Sequence, residues 1–133
     1  LGVEDAIEWL GFVPRERLPE IYRWSDVFLF PSVWEEPAGL TYLEAMASGL
    51  PVAAVPSPGP SDLIRDGGNG ALGADLGASC LRALSCSRNE ARATALGYSW
   101  RASHEVFRNH LVPMVGRHPL AFLKTPRAAR AAG

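Results

Sequence analysis

Cysteine is nearly missing from this chain: only Cys80 and Cys86 occur among 133 residues, with no second pair. Their i, i+6 spacing matches no metal-ligand pattern and cannot build a disulfide framework, so both are expected to be buried or idle thiols. Long apolar runs are missing too, none approaching the roughly 18–20 residues of a membrane-spanning helix. The first residues, Leu1 to Asp5, carry no basic region of the signal-peptide type, which makes the cytoplasm the default compartment. No G-x-G-x-x-G follows any apolar run, and this disfavours a nicotinamide or flavin cofactor. Net charge is almost nil, with 13 basic against 14 acidic side chains.

What is present suits a packed α/β unit. Hydrophobic residues make up 47% and charged residues 20%, which excludes disorder, collagen-like repeats and a coiled coil. The length allows one domain or part of a larger one. The chain opens on Leu1, and Val3–Phe12 runs straight into strand-like sequence, so it reads as a fragment. Charge is unevenly spread: Arg101, Arg108, Arg117, Lys124, Arg127 and Arg130 face only Glu105 after residue 100. A solvated surface is the expectation for this basic end. Peripheral contact with an anionic membrane surface is a second reading, and nucleic acid is not expected as a partner.

Along the chain, Ala6–Phe12 suits a mostly buried strand leaving into Val13-Pro14. Leu18–Trp24, with Pro19 in its first turn, has helical spacing. Val27–Phe30 is a continuous apolar run, expected to be a parallel strand buried on both faces. After a loop, Ser32 to Ala38, the stretch Gly39–Ser48 predicts a helix capped by Gly49 in the left-handed region. Pro51–Val55 predicts a second buried strand, Ser61–Arg65 a short helix, Asp66–Gly70 a turn and Ala71–Leu72 a brief strand. Helices are expected over Asp75–Ser85, Asn89–Leu96 and Trp100–Leu111, then a loosely held basic tail over 112–133. Strands alternating with helices predict a partial Rossmann-like parallel sheet flanked by helices, with ligands beyond its C-terminal strand ends. That places a site at the loop Ser32–Ala38 and the turn Pro56–Pro60.

Within that region stands Glu36-Pro37-Ala38-Gly39-Leu40-Thr41-Tyr42-Leu43-Glu44. Gly39 opens a helix, where free N–H groups and the positive dipole end favour a phosphate. Glu36 is placed to accept hydrogen bonds from hydroxyls attached to that phosphate. Glu44, about 7.5 Å along the helix, is placed to take the vicinal diol of a ribose. An anion, a sugar and a ribose together describe a nucleotide sugar. Two glutamates eight apart are common in helical proteins, so on the spacing by itself exposed helix carboxylates are the preferred reading.

The full string Pro31-Ser32-x-x-Glu35-Glu36-Pro37-x-Gly39-Leu40-x-x-x-Glu44-Ala45-Met46-Ala47-Ser48-Gly49-Leu50-Pro51-Val52 resembles the donor-site signature of family 4 (group 1) glycosyltransferases. These are retaining enzymes of the two-Rossmann-domain GT-B architecture. The resemblance takes in Gly11-Phe12-Val13-Pro14, Asp66-Gly67-Gly68-Asn69-Gly70 and Tyr98-Ser99-Trp100, about residues 3–111. The turn Ser57-Pro58-Gly59-Pro60-Ser61-Asp62 looks most like bacterial GDP-mannose-dependent α-mannosyltransferases and related glycolipid enzymes. The resemblance implies an incomplete nucleotide-sugar-binding domain over 1–111, with Trp100 opening a C-terminal helix that packs back across the domain interface. It implies Glu36 at the donor-sugar hydroxyls as the catalytic candidate, Gly39 and Leu40 as backbone donors to the sugar or diphosphate, and Glu44 on the ribose. No metal and no cofactor beyond the nucleotide-sugar substrate is implied.

The sequence also departs from the family. Ala38 stands where an aromatic residue is usual, and the basic pair that grips the diphosphate lies ahead of where this chain begins. The acceptor domain is likewise outside it. Arg15 and Arg17 are expected to be surface charges flanking a helix, and His104, His110 and His118 structural or surface residues. Trp34 is expected either to line the site or to pack the loop. The leading expectation is the donor-binding half of a glycosyltransferase acting on a glycan or glycolipid acceptor, inactive as this fragment alone. The alternatives are a non-catalytic nucleotide-sugar-binding fragment and an inactive remnant.

Overall fold

The computed structural model describes residues 2–112. Its centre is a sheet of three parallel strands, β1 (Phe28–Phe30), β2 (Val52–Ala54) and β3 (Gly70–Leu72), in that spatial order. Phe28 pairs with Val52, and Val52 with Gly70, so neighbouring strands run in step. The helices are α1 (Leu18–Trp24), α2 (Leu40–Ala47), α3 (Pro58–Leu63), α4 (Leu76–Ala83), α5 (Arg88–Leu96) and α6 (Trp100–Asn109). The class is the expected one, α/β with a parallel sheet flanked by helices.

Strand alternation divides the core between two faces. Val52 and Ala54 point to one face, with Tyr42 and Met46 of α2 and Ala91 and Ala95 of α5. Ala53 and Ala71 point to the other, against Ala83 of α4. Small residues let these layers approach closely, and at Gly70 no side chain fits: a Cβ there would lie 2.3 Å from the Val52 carbonyl oxygen. Met46 is fully buried, worth about 1.5–3 kcal/mol on area grounds.

Local signals place most elements. Helix α1 has the expected bounds, with Pro19 in its first turn, where a missing N–H costs nothing. Helix α2 ends in a Schellman motif: the Leu50 N–H donates to the Ala45 carbonyl at 3.0 Å and the Gly49 N–H to Met46 at 2.8 Å, with Gly49 at φ +80°. Asp75, Ser87 and Ser99 cap α4, α5 and α6 by accepting from the N–H groups of Ala78, Glu90 and Ala102. Two arginines of α5 close other helix ends. Arg88 donates to the Ser25 and Arg23 carbonyls at 2.9 and 3.1 Å, and Arg92 to Ala47 at 2.5 Å.

Several expectations need correction. Ala6–Phe12 is not a strand: Gly11 at φ +64° breaks the extended run, no described strand pairs with it, and Phe12 is 92% exposed. An extended segment becomes a strand only when its backbone groups meet a neighbour. Strand β1 is not buried on both faces, because α4 lies over β2 and β3 and leaves Leu29 49% exposed. Helix α3 starts at Pro58, earlier than expected, since both Pro58 and Pro60 are tolerated in a first turn. Trp100 is 85% exposed and no residue of α6 is buried, so within the described residues this helix buries no face, which leaves the expected packing across a domain interface untested. Cys86 is buried as expected and Cys80 half-buried. The basic tail from residue 113 onward and His118 lie outside the described residues.

Candidate functional site

The segment between β1 and α2 sits at the C-terminal end of the sheet, where parallel α/β sheets bind ligands. Its backbone is tied to the next crossover: the Gly59 N–H donates to the Glu36 carbonyl at 2.9 Å. A Cβ on Gly59 would lie 2.4 Å from that oxygen and 2.7 Å from the Tyr42 hydroxyl, so only glycine allows this approach. The Glu36 N–H donates to the Trp34 carbonyl at 2.7 Å, which turns the loop tightly. Trp34 itself is 76% exposed, so it does not pack the loop.

Gly39 is buried and is the N-cap of α2. Its N–H donates to the hydroxyl of Tyr42, three residues on, at 2.8 Å. This is the back-reaching half of a capping box, made by a tyrosine in place of the usual glutamate. The expectation that Gly39 offers its amide to a ligand therefore meets a competitor inside the chain. The Leu40 and Thr41 N–H groups have no partner among the described residues, and they head the positive end of the helix. Leu40 is exposed. Glu36 is half-buried, and its charge reaches Tyr42. Burial pushes the Tyr42 phenol above its ordinary pKa; the Gly39 N–H pulls it down, and Glu36 and Asp62 push it up again. The Ser57 hydroxyl, at the N-cap of α3, is buried with no partner among the described residues.

Glu44 lies further along α2 and opens on a different hollow, about 360 Å³, between α1 and α2. Arg15, Tyr22, Arg23, Ser48 and Arg92 share its lining. The Arg15 Nη2 stands 3.0 Å from Glu44 Oε1. The Glu44 carboxylate also helps raise the Tyr22 phenol pKa, behind burial as the larger cause. Glu36, Gly39 and Leu40 are thus gathered at the tip of α2, while Glu44 faces the α1 side. Arg17 stays at the surface in a long 3.7 Å contact with Glu20, and His104 and His110 are exposed. No group of three or more His, Cys, Asp or Glu side chains able to hold a metal occurs among the described residues. No described helix is long and apolar enough to cross a membrane.

Sequence reasoning missed the pairing of Arg15 with Glu44 and the capping role of Tyr42, while Arg15 is the expected surface charge. The first carried no signal, since Arg15 and Glu44 are 29 residues apart. The second did, because Tyr42 is the N3 residue of a helix whose N-cap is glycine.

Comparison with known proteins gives the context of this geometry. The family model described as glycosyl transferases group 1 matches residues 1–76, more than half of the chain and all three strands. A D-inositol 3-phosphate glycosyltransferase of Nocardia farcinica is 38% identical over 117 residues, covering 79% of this chain and 26% of the relative. A GDP-mannose-dependent alpha-(1-6)-phosphatidylinositol monomannoside mannosyltransferase of Mycolicibacterium smegmatis is 32% identical over 109 residues, covering 76% of this chain and 28% of the relative. Spore coat protein SA of Bacillus subtilis is 37% identical over 67 residues, covering 50% of this chain and 18% of the relative. The chain thus spans between 18% and 28% of the length of these relatives. With the family model covering the sheet and the α2 tip together, this chain belongs to the group 1 glycosyl transferases.

Proposed function

We propose that these residues form the donor-binding part of a retaining glycosyltransferase that moves a hexose from a nucleotide sugar to a glycan or glycolipid acceptor. The observation that carries this reading is the tip of α2, where the Leu40 and Thr41 amides, without a partner among the described residues, follow directly on the loop that carries the Glu36 carboxylate. A diphosphate leaving group accumulates negative charge as it departs, and a helix N-terminus stabilises that charge without a metal. Glu36 holds the sugar hydroxyls, and Glu44 takes the ribose diol. The bond from the anomeric carbon to the β-phosphate oxygen breaks. The acceptor oxygen bonds to the same face of that carbon and passes its proton to the departing phosphate oxygen, and the nucleoside diphosphate leaves.

GDP-mannose is the favoured donor and a UDP-sugar the second choice, a preference supported by the mannosyltransferase relative that aligns over most of the chain. An acceptor-binding domain outside these residues completes the cleft that excludes water and orients the acceptor. Without it the chain binds donor and does not turn over. The basic end of the sequence suits work beside an anionic lipid surface at the inner face of the membrane.

Titration of the chain with GDP-mannose, UDP-glucose and the matching diphosphates tests the reading. Glu44→Ala should weaken every nucleotide by about tenfold or more, since a charged acceptor of two hydrogen bonds is lost. Glu36→Ala should weaken only the nucleotide sugars. Binding of none of these ligands, or binding indifferent to both substitutions, overturns it.

A further inference from the structure

Tyr42 is the largest fully buried side chain of the described residues, and it lies under the donor loop without belonging to the motif that flanks it. Its ring stands edge-on to Phe30, the last residue of β1, with centroids 5.1 Å apart and planes at 79°. Its hydroxyl accepts the Gly39 N–H at 2.8 Å. A Cβ on Gly39 would sit 2.2 Å from the tyrosine ring, and a Cβ on Gly59 2.7 Å from its hydroxyl. Gly59 in turn holds the Glu36 carbonyl. The phenol is therefore wedged between two glycines, one on each of the segments that make the loop. Because Gly39 is buried, its N–H must have an acceptor or lose the worth of a hydrogen bond, and Tyr42 supplies it. Burial holds the phenol protonated, so it serves as a neutral acceptor that adds no negative charge to the tip of α2.

We propose that Tyr42 is a positioning residue of the donor site: by taking the Gly39 amide it locks the Glu36–Gly39 loop onto Gly59 and leaves the anion to the Leu40 and Thr41 amides. The inference rests on the donor-site reading above. It separates two jobs. Sugar recognition through Glu36 depends on the loop and hence on the phenol, whereas nucleotide recognition through Glu44, on the α1 side of the helix, does not.

Tyr42→Phe in the full chain keeps the ring on Phe30 and removes only the acceptor. Two measurements read the result: amide hydrogen exchange by NMR, and affinity for GDP-mannose against GDP, or UDP-glucose against UDP if that is the pair the wild type binds. The expected outcome is faster exchange at Gly39 with β2 unchanged, a nucleotide-sugar affinity lower by roughly fivefold, and a diphosphate affinity within about twofold, the fivefold being the loss of about one hydrogen bond. Gly59→Ala, whose Cβ would press on the Glu36 carbonyl oxygen at 2.4 Å as well as on the phenol at 2.7 Å, displaces the same loop and should give the same selective loss. Unchanged Gly39 exchange overturns the proposal, and so does an equal loss for both ligands accompanied by faster exchange across Val52–Ala54, which would make Tyr42 a core residue only. A wild type that binds neither ligand pair fails one step earlier and removes the donor-site reading itself, together with this inference.

Discussion

Arg15 and Glu44, 29 residues apart in sequence, meet at 3.0 Å across the groove between α1 and α2. The carboxylate assigned to a ribose is thus already engaged by a guanidinium. Their side chains are 83% and 38% exposed, so the pair is worth no more than about 0.2–1 kcal/mol. A diol that needs Glu44 has to displace Arg15. Arg15→Ala should then leave folding stability nearly unchanged and strengthen nucleotide binding by at most about fivefold, the upper end of that range expressed as affinity. Calorimetric titration checks this, and a tenfold loss of affinity would show instead that the guanidinium touches the nucleotide.

Arg88 joins α5 to the end of α1 through two hydrogen bonds, to the Ser25 and Arg23 carbonyls. Arg88→Ala should destabilise the chain by about 1–3 kcal/mol, because two helix-end carbonyls lose a charged donor. Arg88→Lys should recover less than half of that, since an ammonium lacks the planar fork that serves both oxygens. Urea unfolding of the three proteins, with equal slopes, decides the matter.

Asn69 is fully buried and satisfied on both sides of its amide. Its Oδ1 accepts the Arg65 N–H at 2.8 Å, and its Nδ2 donates to the Leu63 carbonyl at 3.1 Å and the Thr94 hydroxyl at 2.9 Å. Asn69→Ala leaves the Arg65 N–H and the Leu63 carbonyl without these partners and opens a void, a cost of roughly 2–4 kcal/mol. Asn69→Asp should also destabilise, because a carboxylate cannot donate to Leu63. A variant of wild-type stability in thermal or urea unfolding would contradict this account.

Asp66 carries an acid-dependent part of the stability. The Leu72 N–H is the largest cause holding its carboxyl below the ordinary value; burial, next in size, pushes the other way, and the hydrogen bond and charge of Arg82 lower it further. A folded-state pKa below the unfolded one means that the stabilisation is complete above the ordinary carboxylate value, about 3.9, and fades as pH falls through the lower folded value. Asp66→Asn should lower stability at neutral pH and pH 8, where the wild-type contribution is complete, and the gap to wild type should close as pH falls, which flattens the acid side of the profile. Unfolding midpoints measured from pH 2 to pH 8 on both proteins show whether it does.

Legibility in the sequence followed the range of each interaction. The bounds of α1 could be read because Pro19 and the apolar spacing act within one turn, and Gly49 announced the end of α2 because a left-handed residue is a local demand. The apolar runs of β1 and β2 and their alternation with helices were enough for the fold class. Ala6–Phe12 misled because its apolar, aromatic composition suits a strand, while the missing ingredient, a neighbouring strand, is not a property of the segment. Leu29 misled in the same way: which face of β1 stays open depends on where α4 lands.

By itself, then, the sequence determined the order of most elements and the parallel sheet, since these rest on turn chemistry and periodicity within a few residues. The stretch Glu36–Glu44 stood out only through its resemblance to a family signature, and its use as a ligand site is what we propose. The tertiary structure alone decided how that stretch is used internally. It gave Glu44 to Arg15, tied Glu36 to Gly59, and turned Trp100 out to the surface. Each of these outcomes depends on side chains brought near one another, or left alone, by the packing of helices around a sheet, and no spacing along the chain encodes that distance.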